Sequence, residues 1–225
     1  MRVTEIFYSL QGEGLLTGVP TTFIRLAGCP LRCRCCDTRY AWDNSAGQPY
    51  TIDEILQTVL QTPAKHIAVT GGEPMTSKEL PQLLLSLKAL KKHITIESAG
   101  INYLPDLPCD LMSMSPKMSN STPTSPTLAK QHESQRFNID VLTQLIADYP
   151  YQLKFVIDTP QDVIEMQQTL DQLPDIDTSR IMLMPQAATR EQYLKKAPIV
   201  AELCKKTGLR FCHRLQVLLW NTKKG

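Results

Sequence analysis

The hydrophobic positions of the chain form short apolar runs separated by amphipathic stretches. The apolar runs predict β-strands at residues 22–27, 66–70, 93–97, 111–114, 152–157 and 180–184. Apolar side chains with a helical period predict helices at residues 52–61, 77–91, 138–148, 162–172 and 191–206. Thr51 or Asp53 is suited to cap the first helix and Thr189 the last.

Strands that alternate with helices predict βαβ units and a mainly parallel sheet, with the functional site at the carboxyl ends of the strands. The alternation is incomplete, because only a short proline-containing link joins the third and fourth strands. Residues 118–135 are rich in Ser, Thr and Pro and predict a loop, and the apolar residues 210–220 predict a further strand. We therefore expect an α/β fold, an open partial TIM-like barrel of about six mainly parallel strands that lacks some of the helices of a closed eight-fold barrel. No repeat or linker divides it, so residues 1–225 form a single domain.

Composition narrows the functional classes. The chain is 42% hydrophobic and 20% charged, as in ordinary soluble proteins, and its formal net charge of +2 indicates neither a nucleic-acid nor a membrane partner. The first ten residues lack the pattern of a signal peptide, which leads us to expect a cytoplasmic protein.

Four of the seven cysteines fall within residues 29–36, directly after the first predicted strand. Disulfides are rare in the cytoplasm, so this density indicates a metal site or catalysis. The segment contains C-x-x-x-C-x-x-C, formed by Cys29, Cys33 and Cys36, and three thiolates on one loop can hold three irons of a 4Fe-4S cluster while the fourth iron stays open. A zinc site that adds Cys35 or a distant His is the alternative. The spacing favours the cluster, because zinc sites usually combine two separated cysteine pairs and no second pair exists.

At this point the chain resembles the radical S-adenosylmethionine superfamily, whose signature is C-x-x-x-C-x-x-C after a first strand. The segment Thr70-Gly71-Gly72-Glu73-Pro74, at the end of the second predicted strand, is similar to the glycine-rich motif of that superfamily. Adjacent glycines let a ligand approach the backbone, and the Glu73 carboxylate can accept hydrogen bonds from an amine. The order of the two motifs on successive strands makes the resemblance specific.

Further segments narrow it to the 7-carboxy-7-deazaguanine synthase family: Phe7-Tyr8-Ser9-Leu10-Gln11-Gly12-Glu13-Gly14, Asp37-Thr38, Ser115-Pro116-Lys117 and Met184-Pro185-Gln186. The resemblance runs from about residue 5 to about residue 187. It implies a carbon–nitrogen lyase of queuosine biosynthesis, in which 6-carboxytetrahydropterin undergoes radical ring contraction with loss of ammonia. It also implies a 4Fe-4S cluster, S-adenosylmethionine and Mg²⁺ as cofactors, a reductant protein such as flavodoxin, and a homodimer.

The same resemblance implies residue roles. Cys29, Cys33 and Cys36 would ligate the cluster, and the Thr38 hydroxyl would contact Mg²⁺. The substrate would be bound by Leu10, Gln11, Gly12, Arg25 and Thr70, with Glu13 less firmly assigned. S-adenosylmethionine would contact Cys35, Cys36, Asp37, Gly72, Glu73, Ser115, Pro116, Lys117, Met184, Pro185, Gln186 and Ala187.

Several questions stay open in the sequence. Arg25 lies on a strand between apolar neighbours, where it would pair with a carboxylate of the protein or clamp the substrate carboxylate; the resemblance favours the clamp. Cys35 stands where the superfamily usually has an aromatic residue. The C-terminal segment from Leu215 onward would close the pocket or form a dimer contact. Two other functions compete: a glycyl-radical activase, and a non-catalytic zinc-binding interaction protein.

Overall fold

The structure is a computed structural model that describes residues 1–222. Within this range a single sheet has nine strands, in the spatial order β3-β1-β2-β4-β5-β6-β7-β8-β9. In the run β2-β4-β5-β6-β7-β8-β9 every adjacent pair of strands is parallel, whereas β1 is antiparallel to both β2 and β3. The strands are β1 Arg2–Leu10, β2 Pro20–Leu26, β3 Gln48–Pro49, β4 His66–Gly71, β5 His93–Ser98, β6 Leu111–Met114, β7 Tyr151–Ile157, β8 Ile181–Pro185 and β9 Arg210–Phe211.

The six predicted strands are all present, and the sheet does not close, which confirms the open partial barrel. Seven α-helices accompany it in residues 1–222, and none joins β5 to β6. They are α1 Ile52–Leu60, α2 Leu80–Ala89, α3 Pro126–Gln135, α4 Ile139–Asp148, α5 Asp162–Leu170, α6 Arg190–Thr207 and α7 Leu215–Trp220. None of these helices combines the length and apolarity needed to span a membrane.

The first and the longest of the predicted helices, α1 and α6, begin at the caps that the sequence predicts. Thr51 forms a capping box with Glu54 at the start of α1, and the Thr189 side chain accepts a hydrogen bond from the backbone of Gln192 in α6. Every residue of β4 is buried, as expected for a parallel strand covered on both faces. Leu80, Leu83, Leu84 and Leu87 of α2 carry the helical period i, i+3, i+4, i+7 and are completely buried in the main core.

Three predictions about secondary structure were incomplete or wrong. Residues 2–10 alternate polar and apolar side chains and form β1, which the sequence analysis did not include among the strands. Residues 118–135 are not one loop: they contain a short 3-10 helix, Ser119–Ser121, and α3. In α3 only His132 is buried, so the apolar period that reveals a helix is weak.

The third correction concerns residues 210–220, where only two residues form the predicted strand and α7 follows. The last three residues of the expected single domain, 223–225, lie outside the described residues. Because β2 and β4 to β9 are parallel, the loops after β2, β4, β5, β6 and β8 meet at one edge of the sheet. The candidate site lies at this edge.

Candidate functional site

A cavity of about 630 Å³ opens at the carboxyl edge of the sheet. Most of the residues predicted for ligand binding line it, although they come from five separate parts of the chain. They are Leu10, Gln11, Gly12, Arg25, Cys29, Cys33, Cys35, Cys36, Asp37, Thr38, Thr70, Gly72, Ser115, Pro116, Lys117, Met184, Gln186 and Ala187. Glu73 and Pro185 are buried outside its lining.

The cysteine loop is fixed by backbone hydrogen bonds. The Cys29 amide donates to the Trp42 carbonyl (2.9 Å), the Cys36 amide to the Cys33 carbonyl (3.2 Å) and the Arg34 amide to the Ser121 carbonyl (2.8 Å). All seven cysteines of the chain are free thiols. Burial raises the pKa of Cys29 to about 12 and that of Cys33 to about 11, so both stay protonated at neutral pH until a metal replaces the proton.

Three thiols on one wall of one cavity suit the ligation of a cubane cluster, in which each thiolate binds its own iron. Within residues 1–222 no three His, Cys, Asp or Glu side chains are close enough together to hold one metal ion. The fit to the cluster rests on the three thiols that line the same cavity, which are the donors that a cubane with one open iron needs. Cys35 also lines the cavity and is half-buried, and its contact with S-adenosylmethionine stays a prediction.

The glycine motif is hydrogen-bonded to the end of β2 and to the backbone just before the cysteine loop. The Gly72 amide donates to the Leu26 carbonyl (3.0 Å) and the Glu73 amide to the Gly28 carbonyl (2.8 Å). A Cβ at position 72 would lie 2.2 Å from the Gly28 carbonyl oxygen and 2.8 Å from that of Ala41. Only glycine permits this approach of the two backbones.

Glu73 has protein partners for both carboxylate oxygens. Oε1 accepts from the Ser98 hydroxyl (2.8 Å) and the Met75 amide (3.2 Å), and Oε2 accepts from the Ala99 amide (2.7 Å). Burial raises its pKa despite these hydrogen bonds. In this arrangement Glu73 fastens the glycine motif to the end of β5, and its contact with the methionyl amine stays a prediction.

Arg25 is paired with a carboxylate of the protein, which was one of the two alternatives for this residue. Its Nε donates to Glu5 Oε1 (2.7 Å), directly across the β1–β2 ladder, and the Tyr40 hydroxyl donates to the same oxygen (2.6 Å). The guanidinium also lies over the Phe7 ring and lines the cavity. Beside it, the Gln11 amide donates to Glu97 Oε1 (2.9 Å), so the predicted substrate loop is held against β5.

A buried ionic network, absent from the predictions, crosses the cavity. Glu13 accepts from Lys154 Nζ (3.0 Å), Arg214 Nε (3.2 Å) and Gln216 Nε2 (2.8 Å). Burial by itself would raise the pKa of Glu13, but the two cations lower it to about 2. Burial by itself would lower the pKa of Lys154, but the negative charge of Glu13 outweighs burial and raises the pKa of Lys154 above its usual range.

Arg214 extends the network to two further segments. It donates to Asp37 Oδ2 (2.6 Å), next to the predicted cluster ligand Cys36, and to the Ala187 carbonyl after β8. Sequence reasoning missed Lys154 and Arg214 because their partner Glu13 lies 141 and 201 residues away. The signal in the sequence was the position of Lys154 in the middle of the predicted strand 152–157, among apolar residues.

The C-terminal segment closes one side of the cavity. Arg214, Gln216, Val217, Trp220, Asn221 and Thr222 belong to the lining. The Leu215 amide donates to the Gly12 carbonyl (2.9 Å), and a Cβ at position 12 would lie 2.0 Å from Gln216 Oε1. The glycine of the predicted substrate loop is therefore explained by the packing of α7 against it.

Comparison with known proteins agrees with this geometry. The model of the radical SAM superfamily matches residues 23–137. The chain is 38% identical to the 7-carboxy-7-deazaguanine synthase of Rhodopirellula baltica, over 99% of this chain and 88% of that protein. It is 37% identical to the synthase of Halobacterium salinarum, over 97% and 90% of the two chains.

The crystal structure of QueE from Escherichia coli has the same fold, with a TM-score of 0.73 and 23% identity, over 94% of this chain and 92% of that one. The parallel sheet, the cysteine loop on its carboxyl edge and the extent of the sequence matches lead to one assignment. The chain belongs to the radical SAM superfamily and, within it, to the family of the 7-carboxy-7-deazaguanine synthases.

Proposed function

We propose that this chain is a 7-carboxy-7-deazaguanine synthase, a carbon–nitrogen lyase that contracts the ring of 6-carboxytetrahydropterin with loss of ammonia in queuosine biosynthesis. The observation that carries the proposal is the match to synthases named for this product over nearly the whole chain. The cavity that the cysteine loop shares with the QGEG segment (residues 11–14) supports the proposal.

The proposed cluster ligands are Cys29, Cys33 and Cys36, with S-adenosylmethionine bound beside them in the same cavity. When bound, the two cofactors supply the electron and the radical that start the reaction. The chain contributes position: Ser115 accepts a hydrogen bond from Lys117 Nζ (3.0 Å), and both side chains line the cavity with Asp37 and Gln186. Closure by α7 reduces access of water to this space.

For the substrate, we propose that Arg25 binds the pterin carboxylate. Glu5 fixes the guanidinium at the cavity wall, and a cation held in place loses less entropy when a carboxylate binds. Leu10, Gln11, Gly12 and Thr70 form the adjoining wall. The Thr38 hydroxyl would contribute one ligand to Mg²⁺, with substrate oxygens and waters completing an octahedral shell.

We further propose an external one-electron reductant such as flavodoxin, a homodimer and a cytoplasmic location. Arg34 and Arg39 are exposed on the flank of the cysteine loop, which is favourable for an acidic donor protein. Leu219, on the exposed side of α7, supports a dimer contact.

The test incubates anaerobically reconstituted protein with S-adenosylmethionine, a reductant, Mg²⁺ and 6-carboxytetrahydropterin. The expected product is lighter than the substrate by one ammonia, and the cofactor is largely unconsumed. Accumulation of 5′-deoxyadenosine without loss of the pterin would refute the substrate while the superfamily assignment stands. Iron and sulfide analysis decides between the cluster and the zinc alternative.

A matched pair of variants tests the role of Arg25. Arg25→Ala should keep normal iron and sulfide content and lose most of the affinity for the pterin. Arg2→Ala removes an arginine of β1 that lies outside the cavity lining and whose guanidinium donates to the carbonyls of Ser45 and Gly47; it should leave pterin affinity unchanged. Unchanged affinity in Arg25→Ala would rule out the clamp.

A further inference from the structure

Trp42 makes a direct contact with one of the proposed cluster ligands. Its indole Nε1 donates to Cys36 Sγ at 3.3 Å. An indole nitrogen carries a hydrogen and accepts nothing, so the direction of this hydrogen bond is fixed. The side chain is half-buried and lines the cavity, while the sulfur that it contacts belongs to the cysteine loop.

Two arginines stack on the same indole. The guanidinium carbons of Arg32 and Arg39 lie 5.3 Å and 5.6 Å from the Trp42 ring centre. The loop itself fixes both cations, because Arg32 donates to the carbonyls of Cys29 and Leu31 and Arg39 donates to that of Arg34 (2.6 Å). Cation–π contacts of this kind orient the ring and draw electron density from it, which strengthens its N–H as a donor.

The backbone of Trp42 already accounts for its structural role in the loop. Its carbonyl accepts from the Cys29 amide, and the neighbouring Ala41 carbonyl accepts from the Gly28 amide (2.9 Å each). These contacts do not depend on the identity of the side chain at position 42. The backbone contacts therefore do not account for the hydrogen bond from the indole N–H to Cys36 Sγ.

We propose that Trp42, held by Arg32 and Arg39, raises the reduction potential of the cluster bound by Cys29, Cys33 and Cys36. Hydrogen bonds to a ligating sulfur stabilise the more negative, reduced cluster, as do nearby positive charges. Trp42 acts through Cys36 and is a positioning residue in this sense. The inference rests on the proposed cluster site.

The test is a redox titration of the reconstituted holoenzyme, followed by the electron paramagnetic resonance signal of the reduced cluster. Trp42→Phe keeps an aromatic face for the arginines and removes the N–H. We expect its midpoint potential to become more negative, by an amount equivalent to about a three- to tenfold decrease in the equilibrium constant for reduction of the cluster. A tenfold change corresponds to about 59 mV for a one-electron couple.

Matched controls separate this effect from general damage. Arg39→Gln should shift the midpoint potential in the same direction as Trp42→Phe but less. Arg180→Gln removes a comparable cation–π contact, because the Arg180 guanidinium carbon lies 5.4 Å from the Tyr151 ring centre. Arg180 precedes β8 and so lies at the edge of the sheet opposite the cavity, and this variant should leave the midpoint potential unchanged.

A second measurement needs no variant. The reduced wild-type cluster should show the indole proton as a coupled proton that exchanges in deuterated water, and Trp42→Phe should lose that coupling, while any coupling of the Thr38 hydroxyl, 3.6 Å from Cys36 Sγ, stays in both proteins. A fully loaded Trp42→Phe with an unshifted potential would overturn the proposal. If that variant fails to load, an unshifted Arg39→Gln or the lack of an exchangeable coupled proton in the wild type overturns it. Failure of the wild type to bind iron and sulfide refutes the cluster site itself.

Discussion

Arg214 offers the sharpest test of how the cavity is held together. Its guanidinium joins Glu13 of the QGEG segment, Asp37 of the cysteine loop and the Ala187 carbonyl after β8. Arg214→Met keeps a long apolar stem in the same space and removes every one of these bonds. The substitution therefore measures the ionic cross-link with little change in packing.

The size of the destabilisation depends on which partners Glu13 and Asp37 keep when Arg214 is replaced. Breaking a buried ion pair costs roughly 3–5 kcal/mol, because one charge is left without compensation. Glu13 keeps Lys154 and Gln216 as partners, and the Asp37 side chain is 56% exposed, so water can solvate it. We expect Arg214→Met to lower the free energy of unfolding by about 3 kcal/mol, at the lower end of that range.

The assay is anaerobic urea unfolding of the reconstituted protein, together with calorimetric titration of S-adenosylmethionine. Because Asp37 adjoins Cys36, we expect weaker cofactor binding as well as lower stability. Arg190→Met is the matched control: Arg190 also anchors α7, through the carbonyls of Leu218 (2.7 Å) and Leu219 (2.6 Å), but within residues 1–222 its side chain bonds no carboxylate. It should cost less than about 1 kcal/mol.

Two results would refute this reasoning. One is an Arg214→Met protein whose unfolding free energy lies within about 0.5 kcal/mol of the wild type, the range of ordinary surface substitutions. The other is an Arg190→Met protein that loses as much stability as Arg214→Met. Either result would mean that contacts of α7 other than the buried ion pairs hold the segment in place.

Three further predictions concern glycines and a buried histidine. Gly72→Ala should lose at least about 3 kcal/mol and most of its bound iron, because its Cβ would meet the carbonyl oxygen of Gly28 at 2.2 Å; retention of both would contradict the packing argument. Gly12→Ala should cost about 1–3 kcal/mol, because its Cβ would meet Gln216 Oε1 at 2.0 Å and the Gln216 backbone nitrogen at 3.1 Å. Adding Gln216→Ala should recover only part of this loss in urea unfolding, because that change also removes the hydrogen bond from Gln216 to Glu13, and full recovery would contradict the role given to that bond. His66 is 3% exposed, and burial lowers its pKa from 6.5 to about 4, so the stability it contributes is complete above pH 6.5 and falls, by at most about 3 kcal/mol, as the pH drops to 4. Urea unfolding between pH 4.5 and 7 should show a shallower pH dependence in His66→Gln, and identical slopes would exclude this assignment.

Much of the fold was predictable because its information is local. Alternation with period two and the helical period of 3.6 depend on neighbouring residues only, and they located the six central strands and five helices. Where the local signal was weak, prediction failed: α3 is polar on nearly all sides, and the apolar residues 210–220 divide between β9 and α7. The cysteine loop was found for the same local reason, since three thiols lie within eight residues.

The tertiary structure decided which charges meet. Arg25 was identified from the sequence, but its partner Glu5 became evident only once β1 paired with β2. Glu73 was expected to face a ligand, which stays a prediction, and the structure adds that its carboxylate accepts hydrogen bonds from Ser98, Ala99 and Met75. Neither outcome leaves a trace in the local pattern of apolar and polar residues.

The sequence by itself therefore determined the kind of chemistry: a thiol loop after a strand, a glycine motif after the next, and the QGEG segment before both. The structure alone decided how the cavity is closed and charged, because Glu13 meets Lys154 and Arg214 across 141 and 201 residues of chain. Such contacts depend on the order of parallel strands in the sheet and on the path of the C-terminal segment. Both are set by the packing of the whole domain, which no stretch of sequence encodes on its own.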